Sequence, residues 1–127
     1  KTVITYKPIK DLTISATWIY AIGKPFTEPI GAYTLTTPNG GNVNFIVVDK
    51  KNNARYPDYH RMDLLAKYDL SFIKSFKSSI SLSLFNVYDK VNVWYREYAF
   101  DRVMGVTETN INLLGFTPNV TLSVGLK

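Results

Sequence analysis

Tyr59-His60-Arg61-Met62-Asp63-Leu64-Leu65-Ala66-Lys67-Tyr68-Asp69-Leu70-Ser71-Phe72 is the stretch that decides the fold of this chain. Met62, Leu64, Ala66, Tyr68, Leu70 and Phe72 fall on one side of a two-residue period, while Arg61, Asp63, Lys67, Asp69 and Ser71 fall on the other. A period of two is the mark of a β-strand with chemically different faces. Four more segments repeat it, always with the apolar side on even numbers. Residues 1–7 place Ile4 and Tyr6 there, and residues 12–22 place Leu12, Ile14, Ala16, Trp18, Tyr20 and Ile22 against Thr13, Ser15 and Thr17. Residues 79–88 set Ile80, Leu82, Leu84 and Tyr88 against Ser81 and Ser83. Residues 116–126 set Phe116, Val120, Leu122, Val124 and Leu126 against Thr117, Asn119, Thr121, Ser123 and Gly125. Apart from the first, which starts with the sequence, the runs are about 10 to 14 residues long, at or beyond the roughly 9 to 11 that cross a bilayer at a tilt.

The connections alternate as well. Lys7-Pro8-Ile9-Lys10-Asp11 and Ile73-Lys74-Ser75-Phe76-Lys77-Ser78 are short turns, whereas residues 23–58 and 89–115 are long. Outer-membrane barrels pair short periplasmic turns with long extracellular loops, and a soluble sandwich has no reason for that alternation. Loops longer than about 15 residues ordinarily count against a compact domain. The expected fold class is therefore all-β: about five antiparallel, up-and-down transmembrane strands belonging to a larger barrel. Each long loop should carry a hairpin of its own. Residues 33–37 and 43–48 flank Pro38-Asn39-Gly40-Gly41, whose Asn-Gly step suits a turn needing positive φ. Residues 94–101 and 106–114 flank Arg102-Val103-Met104-Gly105 in the same way.

Composition agrees and excludes much else. The 127 residues are rich in aromatics, Thr, Ser and Val and poor in Ala and Glu. Without cysteine there is no disulfide, thiolate nucleophile or zinc-thiolate site. The net charge of +5 comes from scattered lysines, such as Lys7, Lys10, Lys50, Lys51, Lys74 and Lys77, so no nucleic-acid partner is expected. No signal peptide opens the chain and no apolar run of roughly 18 residues provides a transmembrane helix. A chain beginning directly with strand-like Thr2-Val3-Ile4-Thr5-Tyr6 reads as a piece of something longer.

Candidate site residues are few. Arg61, Asp63, Lys67 and Asp69 share one face, and interleaved cations favour charge pairing over acid-base work by paired carboxylates. Trp94, Tyr95, Tyr98 and Phe100 form a loop cluster suited to stacking on a ligand or to packing within its own hairpin. Trp18, Tyr20 and Tyr88, with Trp94, stand near strand ends where amphipathic rings line a membrane interface. His60 is the single histidine, so it is expected to hold a structural hydrogen bond rather than a metal or a catalytic cluster. No spacing calls for a cofactor, a metal or catalysis.

Three stretches resemble the C-terminal barrel portion of TonB-dependent receptors of the Bacteroidetes type. Asn53-Ala54-Arg55-Tyr56-Pro57-Asp58-Tyr59-His60-Arg61-Met62-Asp63 resembles the family's passage from a long loop into a strand. Ser83-Leu84-Phe85-Asn86-Val87-Tyr88-Asp89-Lys90-Val91-Asn92-Val93-Trp94-Tyr95 is similar to its strand exit, and Leu113-Leu114-Gly115-Phe116-Thr117-Pro118 to its run into the final strand. The resemblance covers nearly the whole chain, with one departure: the family commonly ends in an aromatic residue, and this sequence ends at Lys127. It implies residence in the bacterial outer membrane and uptake of a scarce nutrient, an iron chelate, vitamin, oligosaccharide or peptide, energised through TonB. It also implies a barrel of about 22 strands plugged in its lumen. The implied partners are the rest of the barrel and its plug, the TonB complex and outer-membrane lipid, with a surface lipoprotein left open. The rival reading is a soluble secreted or periplasmic β-sandwich that binds carbohydrate through Trp94 and Tyr95. A small enzyme on a β scaffold comes third.

Overall fold

The computed structural model describes residues 1–70, 76–101 and 105–126, and among these it is all-β, with every strand pairing antiparallel and no helix. The chain divides into two compact units. The first comprises residues 1–21, 59–92 and 114–127, and the second comprises residues 22–58 and 93–113.

The first unit is one five-stranded sheet. Its strands are β1 (Thr2–Ile9), β2 (Leu12–Ala21), β7 (Tyr59–Leu70), β8 (Phe76–Phe85) and β11 (Thr117–Leu126), in that spatial order. Each strand lies beside its predecessor in the sheet, so the order is up-and-down once the two long excursions are set aside. Opposed residues in an antiparallel ladder share a face, and the registers join even to even throughout the long ladders. Tyr6 faces Ile14, Ile14 faces Ala66, Ala66 faces Leu82, and Leu82 faces Val120. A parallel row runs through Ile4, Ala16, Leu64, Leu84 and Pro118. The odd face carries Thr5, Ser15, Leu65, Ser83 and Asn119 in one row, where Leu65 is the apolar exception and Thr5 and Ser15 are hydrogen-bonded at 3.0 Å.

The first turn is tighter than the expected Lys7–Asp11. β1 continues to Ile9, which faces Leu12 across Lys10-Asp11, and the register shifts between Tyr6 and Ile9. Pro8 has no N–H to give and is accommodated in an edge strand. The shift also brings odd-numbered Ile9 onto the face of Leu12. The fourth expected strand, 79–88, is displaced: β8 begins at Phe76 and stops at Phe85 because Asn86 takes a φ of 52°, outside any strand. The expected turn over 73–78 lies largely outside the described residues.

No apolar residue among those described is buried. Even-face side chains of the inner strands keep 40 to 44% exposure at Ile14, Tyr68, Ile80 and Leu82, while Ile4, Tyr6, Val120 and Leu122 on the edge strands keep 64 to 67%. Adjacent strands screen these side chains from the side, and no layer of this sheet covers them from above. Fully burying one such residue contributes roughly 1.5–3 kcal/mol, so much of that stabilisation is not realised within the chain.

The second unit holds three two-stranded sheets: β3 (Pro25–Phe26) with β6 (Ala54–Arg55), β4 (Pro29–Thr36) with β5 (Asn42–Val48), and β9 (Val93–Asp101) with β10 (Gly105–Asn112). The two hairpins are those expected inside the long loops; the β3–β6 pair had no sequence signal. At the β4–β5 tip, Thr37 O accepts from Gly40 N at 2.9 Å and only Gly40, with φ of 76°, is left-handed. Pro38 at the second position fits a type I turn followed by a left-handed glycine, rather than a turn with both central residues at positive φ. Residues 102–104 of the other tip lie outside the described residues.

What is buried is polar. Asn86 is fully covered and Asn92 nearly so, at 0% and 3% exposure. Asn86 Nδ2 donates to Lys90 O at 2.9 Å and Leu114 O at 3.3 Å, its Oδ1 accepts from Lys90 N at 3.2 Å, and its own N–H donates to Asp63 Oδ1 at 3.0 Å. Asn92 Nδ2 donates to His60 O and its Oδ1 accepts from His60 N. Asp89, also left-handed at 52°, accepts from Phe116 N at 2.7 Å. This knot ends β8 and ties it to β7 and to the entry of β11. Asn86→Ala should cost about 2–4 kcal/mol, combining unsatisfied buried carbonyls with a strained left-handed alanine. Asn86→Gly should recover about 1 kcal/mol by relieving the backbone strain alone. Urea unfolding of the folded protein checks this order; equal midpoints for wild type and Asn86→Ala would refute it.

Candidate functional site

On the odd face of β7 the expected charges pair along the strand. Arg61 Nε meets Asp63 Oδ2 at 3.1 Å and Lys67 Nζ meets Asp69 Oδ1 at 3.1 Å. Asp63 uses its other oxygen to receive the Asn86 N–H, and the Arg61 guanidinium lies 4.0 Å from the centre of the Phe85 ring. Both oxygens of Asp63 are thereby engaged, and its part is to hold the strand exit. A shallow recess of about 290 Å³ opens on this polar face beside Ser15, Thr17, Asp63, Leu65, Ser83 and Phe85.

The aromatics expected at a membrane interface gather at one end of the sheet. Trp18 and Tyr20 stack at 6.0 Å on β2, Tyr20 faces His60 across the ladder, and His60 Nδ1 is 2.9 Å from Tyr88 Oη. His60 thus holds the structural hydrogen bond expected of it. Tyr88 lies in the knot beyond β8, not in the strand to which its even number assigned it. By register this is the end where β2 and β8 leave the sheet and β7 and β11 enter it, opposite the Lys10-Asp11 turn.

In the second unit, Trp94 and Tyr95 form an edge-on pair at 5.0 Å, with Trp94 62% exposed. Tyr95 Oη donates to Glu97 Oε1 at 3.3 Å; desolvation first, and then the Glu97 charge, raise its phenol above the ordinary value. No ring contact among the described residues joins Tyr98 to this pair. Tyr98 belongs instead to a cluster that the sequence reading missed, centred on Arg96. Arg96 Nη1 reaches Glu108 Oε1 at 3.2 Å and Glu28 Oε1 at 3.4 Å. Its guanidinium lies 5.2 Å from the Phe26 ring and 5.8 Å from the Tyr56 ring, and its backbone N–H donates to Tyr56 Oη at 3.2 Å. Residues from both long excursions thereby converge on one side chain. Even numbering along β9 places Arg96 and Tyr98 on one face, which was a usable signal, while Trp94 falls in the register shift; nothing local marks Glu28 as a partner.

The Tyr98 hydroxyl is covered and has no hydrogen-bond partner of good geometry among the described residues. Desolvation raises its phenol above the ordinary value; Arg96 pulls it down, and the Glu108 and Glu28 carboxylates push it up. A raised folded value means that the protonated phenol's contribution to stability is fully present below the unfolded value of 10.0 and is lost as pH climbs through the folded one. Tyr98→Phe should therefore make the chain less sensitive to alkali above that pH. Denaturant midpoints across the alkaline range, with phenolate absorbance followed in parallel, check it; an unchanged alkaline loss would contradict the assignment.

Comparison with family models, with curated proteins and with solved structures returned no match.

Proposed function

We propose that the chain is the C-terminal part of a TonB-dependent outer-membrane transporter: five membrane-crossing strands of a larger barrel, taking up a scarce nutrient with energy delivered through TonB. The observation that carries the membrane part is the sheet's two-facedness. One face is apolar across all five strands and uncovered, the other bears Ser, Thr and ion pairs, and no apolar residue among those described is buried. In a bilayer the even face meets lipid and the odd face lines a watery lumen. The free edges of β1 and β11 then continue into further strands, because backbone groups cannot remain unsatisfied in hydrocarbon. The excursions leave at the extracellular end, and the Trp18, Tyr20 and Tyr88 rings lie near its interface. The transporter assignment rests on the three family-like stretches, and the choice among iron chelate, vitamin, oligosaccharide and peptide is left to loops and plug.

The face assignment is tested by neighbouring substitutions on β8. Leu82 stands between Ala66 and Val120, and Ser83 between Leu65 and Asn119. An arginine on the lipid face costs on the order of 2–4 kcal/mol at the midplane and 0–1 near an interface. Leu82→Arg should therefore lower the folded, heat-modifiable fraction of the intact barrel far more than Ser83→Arg, and by an amount that changes with bilayer thickness. Equal folding of both in thin and thick bilayers, or a worse result for Ser83→Arg, would overturn the reading in favour of a soluble sandwich.

A further inference from the structure

Beside the Arg96 cluster, within the second unit, lies an open recess of about 400 Å³ between the start of β4 and the even face of the β9–β10 hairpin. That volume lies in the range of small-molecule sites. Its polar wall holds Glu28, Glu108 and Tyr98, and its apolar wall holds Pro29, Ile30, Ala32 and Val106. Among the described residues Arg96 neutralises only one of the two carboxylates' charges, so their part of the wall keeps a net negative charge. The ion pairs engage Oε1 of each glutamate, leaving the Oε2 atoms as acceptors. Glu108 is set opposite Tyr98 by the ladder, which puts an aromatic ring next to the carboxylates. Gly31 also lines the recess, and the backbone there carries no side chain.

We propose that this recess binds a small organic ammonium ion, its head between Glu28 and Glu108 and its alkyl body against Pro29, Ile30, Ala32 and Val106. An anion is disfavoured by the wall's charge. A hard metal ion wants about six to eight oxygen ligands, and the recess offers two carboxylates with a half-apolar lining. An alkylammonium uses both walls at once: charge-assisted hydrogen bonds to the carboxylates, the Tyr98 ring as a cation-π surface, and apolar burial for its chain. The inference does not depend on the membrane reading, and the failure of either leaves the other standing.

The probe is n-butylammonium chloride, titrated at constant ionic strength into the isotope-labelled, folded full-length protein, with the Gly31 and Gly105 amide resonances as reporters. Saturable binding with a dissociation constant on the order of 1 mM is expected, with n-butanol and sodium butyrate at least about tenfold weaker. Glu108→Gln should weaken butylammonium about tenfold. Ala32→Phe, which adds bulk on the apolar wall and leaves both carboxylates in place, should weaken binding at least about tenfold while the remaining β9–β10 resonances keep their dispersion. Should one variant lose that dispersion, the other still decides. Butanol binding as tightly as butylammonium, native affinity in a folded Ala32→Phe chain, or no saturable response to butylammonium would each overturn the proposal.

Discussion

The structure of the five-stranded sheet depends on one constraint, the parity of its registers. Because side chains alternate with a strict period of two, a single-residue slip in any ladder would carry an entire apolar row onto the polar face. All four ladders keep even residues opposite even ones, and the single departure, Ile9 opposite Leu12, follows a bulge that restores the face instead of breaking it. The energy at stake is that of a whole row of Ile, Leu and Val side chains, well beyond any single hydrogen bond on the polar face.

Parity alone does not say where strands end, and there the buried asparagines act. β8 must stop, turn and release the chain into β9 while leaving β11 free to pair beside it. Asn86 and Asp89 adopt left-handed conformations that Asn and Asp tolerate better than most residues. Their side chains then satisfy the backbone groups that the turn exposes, so the sharp exit has no orphaned donor at Lys90 or Phe116. Arg96 has a comparable place in the second unit, where it draws residues far apart in sequence onto one guanidinium.

Much of this was readable from residue order, and what was not readable has a common cause. The alternation named both faces correctly over residues 12–21 and 59–70 because each strand's pattern is local. The β4–β5 hairpin was readable from Pro38-Asn39-Gly40, although the turn places only the glycine in the left-handed region. The pairing of Arg61 with Asp63 and Lys67 with Asp69 was expected from their shared face. Glu28 was invisible because it meets Arg96 across 68 residues of chain, and no local period reports such a contact. Asn86 was seen within a family-like stretch, but its burial follows from Leu114 and Asp63 closing over it, which only the folded sheet determines.

The sheet is incomplete in two physically different ways, and they point in the same direction. Its apolar face lacks a covering layer, a deficit that any apolar surface could fill, since burial is nondirectional. Its β1 and β11 edges lack hydrogen-bond partners in the sheet, a deficit that water or another strand can fill but hydrocarbon cannot. Within the second unit, too, apolar side chains stand open, with Tyr33, Leu35, Val43 and Phe45 41 to 52% exposed. A second sheet in a soluble sandwich would cover the face yet leave the edges to be protected separately. Further strands alone would satisfy the edges and enlarge the uncovered face. The closed barrel in a bilayer proposed above would answer both requirements with one arrangement, and it would also give the paired charges of β7 a hydrated side on which to stand.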